Sequence, residues 1–195
     1  MTPSTHHLVT RKGMMSSLNL RWQRVLLSTL IIMLTLSAKN VFAKVTSPDT
    51  VPDWYPAETC MEMMNILIDE YSLTVEGAAS VLGNVCQESK YKADAYSGYY
   101  IGICQWDPNH RWPMISDWII RNGYSTDSST AQLRAIFEDA ENGLYSETLE
   151  YMKSVTSIED GVHRWLVYYE GAPGQQEAER CSYAYDAYEI YNANK

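Results

Sequence analysis

The run Ala78-Ala-Ser-Val-Leu-Gly-Asn-Val-Cys-Gln-Glu88-Ser89 ends in a carboxylate, and Gly102-Ile-Cys-Gln-Trp106 follows it closely. Val81, Leu82, Val85 and Cys86 recur at helical spacing, so one face of this segment is apolar. Glu88 then falls on the last helical turn, where the negative helix end and neighbouring aromatic residues favour a carboxyl that keeps its proton. Such a carboxyl suits general-acid cleavage of an ether-like bond. A glutamate at a helix end is more often a solvated charge, so the chemistry depends on the elements around it.

Those elements are mostly helical. The periodicity predicts a helix over 57–71, with Met61, Met64, Leu67 and Ile68 on one face. A second starts near Thr74, a residue type that caps helix N-termini, and carries Glu88. Residues 91–106 hold Gly98, Gly102 and several aromatic residues without helical period. They read as a loop and a small two- or three-stranded patch. Helices resume over 112–121, from about Asp127 to Asn142-Gly143, over 146–153, and from Ser157 to Tyr169. Gly171-Ala-Pro-Gly174 breaks the pattern before a last helix near 175–192, with Cys181, Tyr185, Tyr188 and Tyr191 at core-like spacing. The fold class is α+β: a predominantly helical domain with one small antiparallel sheet.

The first 43 residues look like an export address. Arg11, Lys12, Arg21 and Arg24 precede an apolar stretch from Val25 to Leu36, and Val41-Phe-Ala43 offers a cleavage site after Ala43. A mostly apolar stretch of twelve residues suits a signal core better than a membrane span. The expected division is a signal at 1–43, a linker at 44–55 and a domain at 56–195, secreted or held at the cell surface. Membrane contact is expected only through the signal segment. The part after residue 43 has 10 Lys+Arg against 24 Asp+Glu, a formal charge of −14. Nucleic acid is a poor partner for such a surface, because phosphate binding relies on basic neutralisation.

Cys60, Cys86, Cys104 and Cys181 all lie in the exported part, and an even count in an oxidising compartment predicts two disulfides. The favoured pairing joins Cys86 to Cys104 and Cys60 to Cys181. Metal spacing is absent from the cysteine and histidine pattern, and no metal or cofactor is expected. A cysteine peptidase built from a Cys with His110 or His163 is the rival catalytic reading, and disulfide pairing would remove its nucleophile.

Ala-Ala-x-Val-Leu-Gly-Asn-x-x-Gln-Glu-Ser, the aromatic loop and Gly-Ile-x-Gln-Trp together resemble the phage tail lysozyme family. Tyr168, Tyr169, Glu170, Gly174 and Arg180 form a looser match downstream. The likeness covers roughly 73–190 and implies a lysozyme-like fold that cleaves the β-1,4 bond between N-acetylmuramic acid and N-acetylglucosamine in peptidoglycan. It implies Glu88 as the acid. A monomer is expected. Gln105, Trp106, Tyr99 and Tyr100 are then expected to hold saccharide, with Tyr96 beside them. Lys90 departs from the pattern, which commonly has glycine after Glu-Ser.

A second carboxylate is expected from Asp94, Asp107 or Glu170. Asp107 is the nearest in sequence to the Gln-Trp pair, and Glu170 is alternatively a partner of Arg111 or Arg180. Glycosidases place such a partner at about 5 Å for retention or about 6.5–9.5 Å for inversion. A lytic transglycosylase would use the same glutamate and the substrate's own 6-hydroxyl. A non-catalytic wall-binding module, or a module of a phage tail or conjugation apparatus, would keep the aromatic residues without needing Glu88.

Overall fold

A computed structural model of the chain describes residues 45–139 and 144–195. The expected export signal at 1–43 and the Asn142-Gly143 helix stop lie outside the described residues. Among them run seven α-helices: α1 (Ala57–Asn65), α2 (Val75–Ser89), α3 (Arg111–Arg121), α4 (Ser129–Asp139), α5 (Ser146–Met152), α6 (Ile158–Tyr168) and α7 (Glu177–Ala193). A π-helical turn, Ile66–Glu70, continues α1.

The centre of the fold is α2, packed by α7, α6, α5 and α1. Eleven of its fifteen residues are buried, so it is enclosed rather than merely faced by a core. Its N-terminus is fixed as the sequence predicts. The Thr74 hydroxyl accepts the Gly77 N–H at 3.0 Å and donates to the Val155 carbonyl at 2.7 Å. Small residues let its neighbours come close. A side chain at Gly83 would collide with the Arg180 carbonyl and lie 2.6 Å from the Ala184 Cβ. The Ser80 hydroxyl reaches the Ile158 carbonyl at 3.0 Å, which ties α2 to the start of α6. Ser157 caps α6 through the Asp160 N–H at 3.2 Å.

That close approach corrects the expected face of α7. The buried positions are Arg180, Ala184, Ala187, Ile190 and Tyr191, whereas Tyr185 is turned outward. The small Ala184 lies against Gly83 where the helices approach most closely, and Cys181 and Tyr185 lie to the flank.

The expected small sheet is also corrected. Among the described residues the segment between α2 and α3 makes two isolated antiparallel bridges, Tyr96 with Ile101 and Ile101 with Trp106. Gly98, Gly102 and Gln105 all take left-handed backbone angles, with φ of 88°, 81° and 49°. A reversal every three or four residues leaves no room for a strand. A buried side chain does the work of a sheet here. Gln132 of α4 accepts the Ile103 N–H at 2.9 Å and donates to the Ala93 and Thr126 carbonyls at 3.0 and 2.7 Å.

Residues 45–55, expected as a linker, pack onto the domain. Val51 and Tyr55 enter the core, and Thr46 exchanges two 2.7 Å hydrogen bonds with Asn194 at the end of α7.

The predicted disulfides are absent: all four cysteines are free thiols. Cys86 and Glu88 are two positions apart on a helix, about 200° around its axis. Cys86 faces Cys60, Tyr55 and Tyr91, while Cys104 lies on the other side, in the field of Glu88 and Glu170. Cys60 is fully buried on α1, and Cys181 flanks α7 near Glu159 and Glu177. Neither expected pair faces itself.

Candidate active site

Glu88 stands on the last turn of α2, and the helix stops at Lys90, whose φ of 55° is left-handed. A left-handed angle at this position is one that glycine adopts without strain. The lysine there is held by two rings, its Nζ lying 3.7 Å from the centre of Tyr183 and 4.9 Å from that of Trp54. The chain can therefore turn away sharply after Glu88 without a glycine.

The Glu88 carboxylate meets Arg180, a guanidinium only 2% exposed, at 2.5 Å. Arg180 is itself fixed on every side. It donates to the Asn84 Oδ1 at 3.1 Å and to the Gln175 carbonyl at 3.0 Å. Asn84 lies one turn before Glu88 and donates in turn to the Ser80 carbonyl at 2.9 Å. A fifth of the Glu88 side chain, 21%, remains open to solvent, so a molecule from outside can reach the carboxylate.

Glu170 belongs to the same cluster. It follows α6, is half-buried, and accepts the Trp165 indole N–H at 3.1 Å. Burial pushes its carboxyl up to about 8, and the negative charge of Glu88 pushes in the same direction. Arg180, the indole N–H and Arg111 oppose them. A raised carboxyl of this kind carries its proton at neutral pH. Burial and the nearby negative charge thus favour the protonated form at position 170, while Glu88 has a guanidinium against it.

Arg111, at the start of α3, completes the array. Its guanidinium sits 4.4 Å from the ring centres of both Tyr145 and Tyr169 and donates to the Tyr169 hydroxyl at 3.0 Å. Tyr169 stacks on Trp165 at 4.1 Å. Two carboxyls and two guanidiniums are thereby gathered from four helices or helix ends.

The remaining residues expected from sequence fall elsewhere. Trp106 is 3% exposed, and its indole stacks on Trp112 at 5.9 Å. Gln105 turns inward, donating to the Gly102 and Ala95 carbonyls at 2.9 and 3.3 Å. Both residues shape the loop from within. Tyr99 and Tyr100 are outside, exposed and packed edge to face at 5.1 Å, with Tyr96 more exposed still. Asp107 is bound on one oxygen by the Asn109 N–H at 2.7 Å, the Tyr99 hydroxyl at 3.2 Å and His110 at 3.2 Å. The Asn109 N–H leads in holding its carboxyl below the usual range, so it is a carboxylate at neutral pH. Asp94 is exposed. Two surface pockets are built by other elements, one lined by Glu70, Tyr71, Phe137 and Lys153 and one by Val45, Asp53 and Thr59.

The cysteine–histidine reading finds no geometry. His110 partners Asp107 and His163 partners Glu177 at 2.9 Å. Burial pushes the Cys60 and Cys86 thiols up to about 12 and raises those of Cys104 and Cys181, the reverse of an activated nucleophile.

Sequence reasoning missed three positioning groups: the buried role of Arg180, the Asn84 bridge and the Gln132 clamp. Each had a signal. Asn84 and Gln132 are polar residues on otherwise apolar helix faces, and such residues are buried only with partners.

No curated protein matches the chain. The model of the phage tail lysozyme family matches residues 58–191. That span runs from α1 into the last turn of α7 and contains Glu88, Arg111, Glu170 and Arg180. The chain belongs to the phage tail lysozyme family.

Proposed function

We propose that this protein is a secreted peptidoglycan hydrolase that cleaves the β-1,4 bond between N-acetylmuramic acid and N-acetylglucosamine, with Glu88 as general acid. Family membership supports a lysozyme-like peptidoglycan hydrolase in general. The observation that carries the finer reading is the Glu88 carboxyl, part-exposed at a helix end and bound by a buried guanidinium. A group so placed is open to a glycan while its carboxyl is held in one position.

Catalysis would begin with the saccharide lying over Glu88, with Tyr99 and Tyr100 offering exposed faces for its rings. Protonation of the glycosidic oxygen by Glu88 lets the leaving sugar depart, and water or an internal hydroxyl takes its place. The charge at Asp107 would order the tyrosine loop through the Tyr99 hydroxyl.

One observation favours a lytic transglycosylase as the second reading. Burial raises the Glu170 carboxyl, and a carboxyl that keeps its proton does not activate water. The substrate's 6-hydroxyl would then serve as nucleophile. Mass spectrometry of products from purified sacculi separates the two, because hydrolysis adds water and transglycosylation does not.

Glu88→Gln is the test of the site. It is expected to lower product release by at least about a hundredfold, the usual range for a removed general acid, while sacculus pelleting stays unchanged. Near-wild-type turnover in that variant would assign the acid elsewhere.

A further inference from the structure

Two side-chain amides stand beside Glu88, and general-acid cleavage uses neither. In the last turn of α2, Val85, Cys86 and Ser89 are buried, so Gln87 and Glu88 are the neighbours that reach the surface. Both are met by the start of α7. The Gln87 Nε2 donates to the Gln176 Oε1 at 3.0 Å, while Glu88 meets Arg180 at 2.5 Å. Gln176 and Arg180 are one helical turn apart, and the Arg180 N–H donates to the Gln176 carbonyl at 3.0 Å. The two contacts therefore run side by side between the same pair of helices. Arg180 is buried and Gln176 is exposed, so the amide pair is the outer contact and the ion pair the inner one.

The amide pair is half used. Two primary amides can exchange two hydrogen bonds, and here one is made. Among the described residues the Gln87 Oε1 and the Gln176 Nε2 have no partner. One acceptor and one donor thus stand free next to the carboxylate. Turning both amides over would still leave one of each.

We infer that Gln87 and Gln176 form a subsite for a secondary amide, the 2-acetamido group of the sugar at the scissile bond. This rests on the reading of Glu88 as the acid. A secondary amide carries one N–H and one carbonyl, which complement the free acceptor and donor. The acetamido N–H donates to the Gln87 Oε1, and its carbonyl accepts from the Gln176 Nε2. That group is attached to the carbon next to the anomeric carbon. Holding it therefore sets where the glycosidic oxygen lies over Glu88, the adjacent residue in the chain. A sugar with a free amine offers no carbonyl to Gln176. The part of the chain after residue 43 has a formal charge of −14, which attracts a cationic amine. Net charge and the amide subsite thus favour opposite substrates, and a preference for acetylated chains isolates the subsite.

The test measures kcat/KM of the full chain on glycan freed of its peptide stems. The glycan is used native, de-N-acetylated, and de-N-acetylated then re-N-acetylated. Wild type is expected to favour the native and restored forms over the de-N-acetylated form by at least about tenfold, as two lost hydrogen bonds require. Gln87→Ala and Gln176→Gly are each expected to cut that preference at least about threefold. Their thermal midpoints should stay near that of wild type, since both side chains lie at the surface. An active wild type that cleaves all three forms equally overturns the inference alone. Variants that slow equally on all forms and keep the full preference overturn it too, and make the pair a joint between α2 and α7. A preference seen only on chains that keep their stems moves the recognised amide to the peptide and overturns the acetamido assignment. Wild type that cleaves no glycan, or Glu88→Gln with wild-type turnover, overturns the reading of Glu88 on which the inference rests.

Discussion

Two polar clusters lie on opposite sides of α2, and they solve burial in different ways. On the Cys86 side, Tyr55 and Tyr91 share a hydrogen bond at 2.5 Å, and the Tyr55 hydroxyl lies 2.9 Å from the Tyr183 carbonyl. Cys60 and Cys86 flank them. Burial raises all four groups, so this side is neutral at any physiological pH. On the Glu88 side the ionisable groups are carboxyls and guanidiniums, with the buried Arg180 directly against Glu88. A neutral hydroxyl needs one hydrogen bond to be buried cheaply, whereas a buried ion needs a counter-ion and several bonds. Charge kept under such conditions marks the side of the helix where chemistry is done.

The comparison is broken most severely by removing Arg180. Arg180→Met leaves Glu88 and the Asn84 side chain without their partner, and a loss of about 3–5 kcal/mol is expected in urea unfolding. Combining it with Glu88→Gln should recover much of that loss, because no orphaned charge remains. Strict additivity of the two substitutions would mean that the ion pair contributes nothing.

pH divides the two sides next. Glu170 binds its proton more tightly folded than unfolded, so its contribution to stability is full below the ordinary carboxylate range and is lost as pH rises through about 8. Asp186, raised to about 6, acts in the same sense. The urea midpoint is therefore expected to fall between pH 5 and pH 8.5, and Glu170→Gln should flatten that slope. A midpoint that rises over this range would contradict the raised carboxyl. The neutral side contributes nothing there.

A milder effect is expected from the neutral cluster itself. Tyr91→Phe should cost about 1 kcal/mol, the value of one net hydrogen bond, with glycan cleavage unchanged. A large loss of cleavage would mean that the two sides of α2 are coupled. Smallest is Lys90→Gly. It relieves the left-handed backbone but gives up contacts with Tyr183 and Trp54, each of order 0.5–1 kcal/mol, so stability should shift by less than about 1 kcal/mol. A thermal scan reads this directly, and a loss beyond 2 kcal/mol would show that the cation–ring stack outweighs the backbone.

Much of the helical scaffold was legible because local rules govern it. Thr74 and Ser157 were recognisable caps, and the apolar period of α2 was visible in Val81, Leu82, Val85 and Cys86. The last helix was harder. Its tyrosines suggested a buried face, but Gly83 needs Ala184 opposite it, and that pairing joins residues a hundred positions apart. The sheet failed for a related reason. Turn residues were seen, yet the left-handed angle at Gln105 is imposed by a fold in which Gln132 pins the loop.

The sequence by itself determined the helices, their caps, the position of Glu88 at a helix end and membership of a lysozyme family. These depend on residue types within a few positions of one another, where backbone preference and side-chain period act. Only the tertiary structure decided which face Cys86 took, which guanidinium met Glu88 and which carboxyl burial raised. Charge and burial at a site are sums over groups brought together by packing, and the closest partners of Glu88 and Glu170 come from α3, α6 and α7. No local rule reads such a sum before the chain has folded.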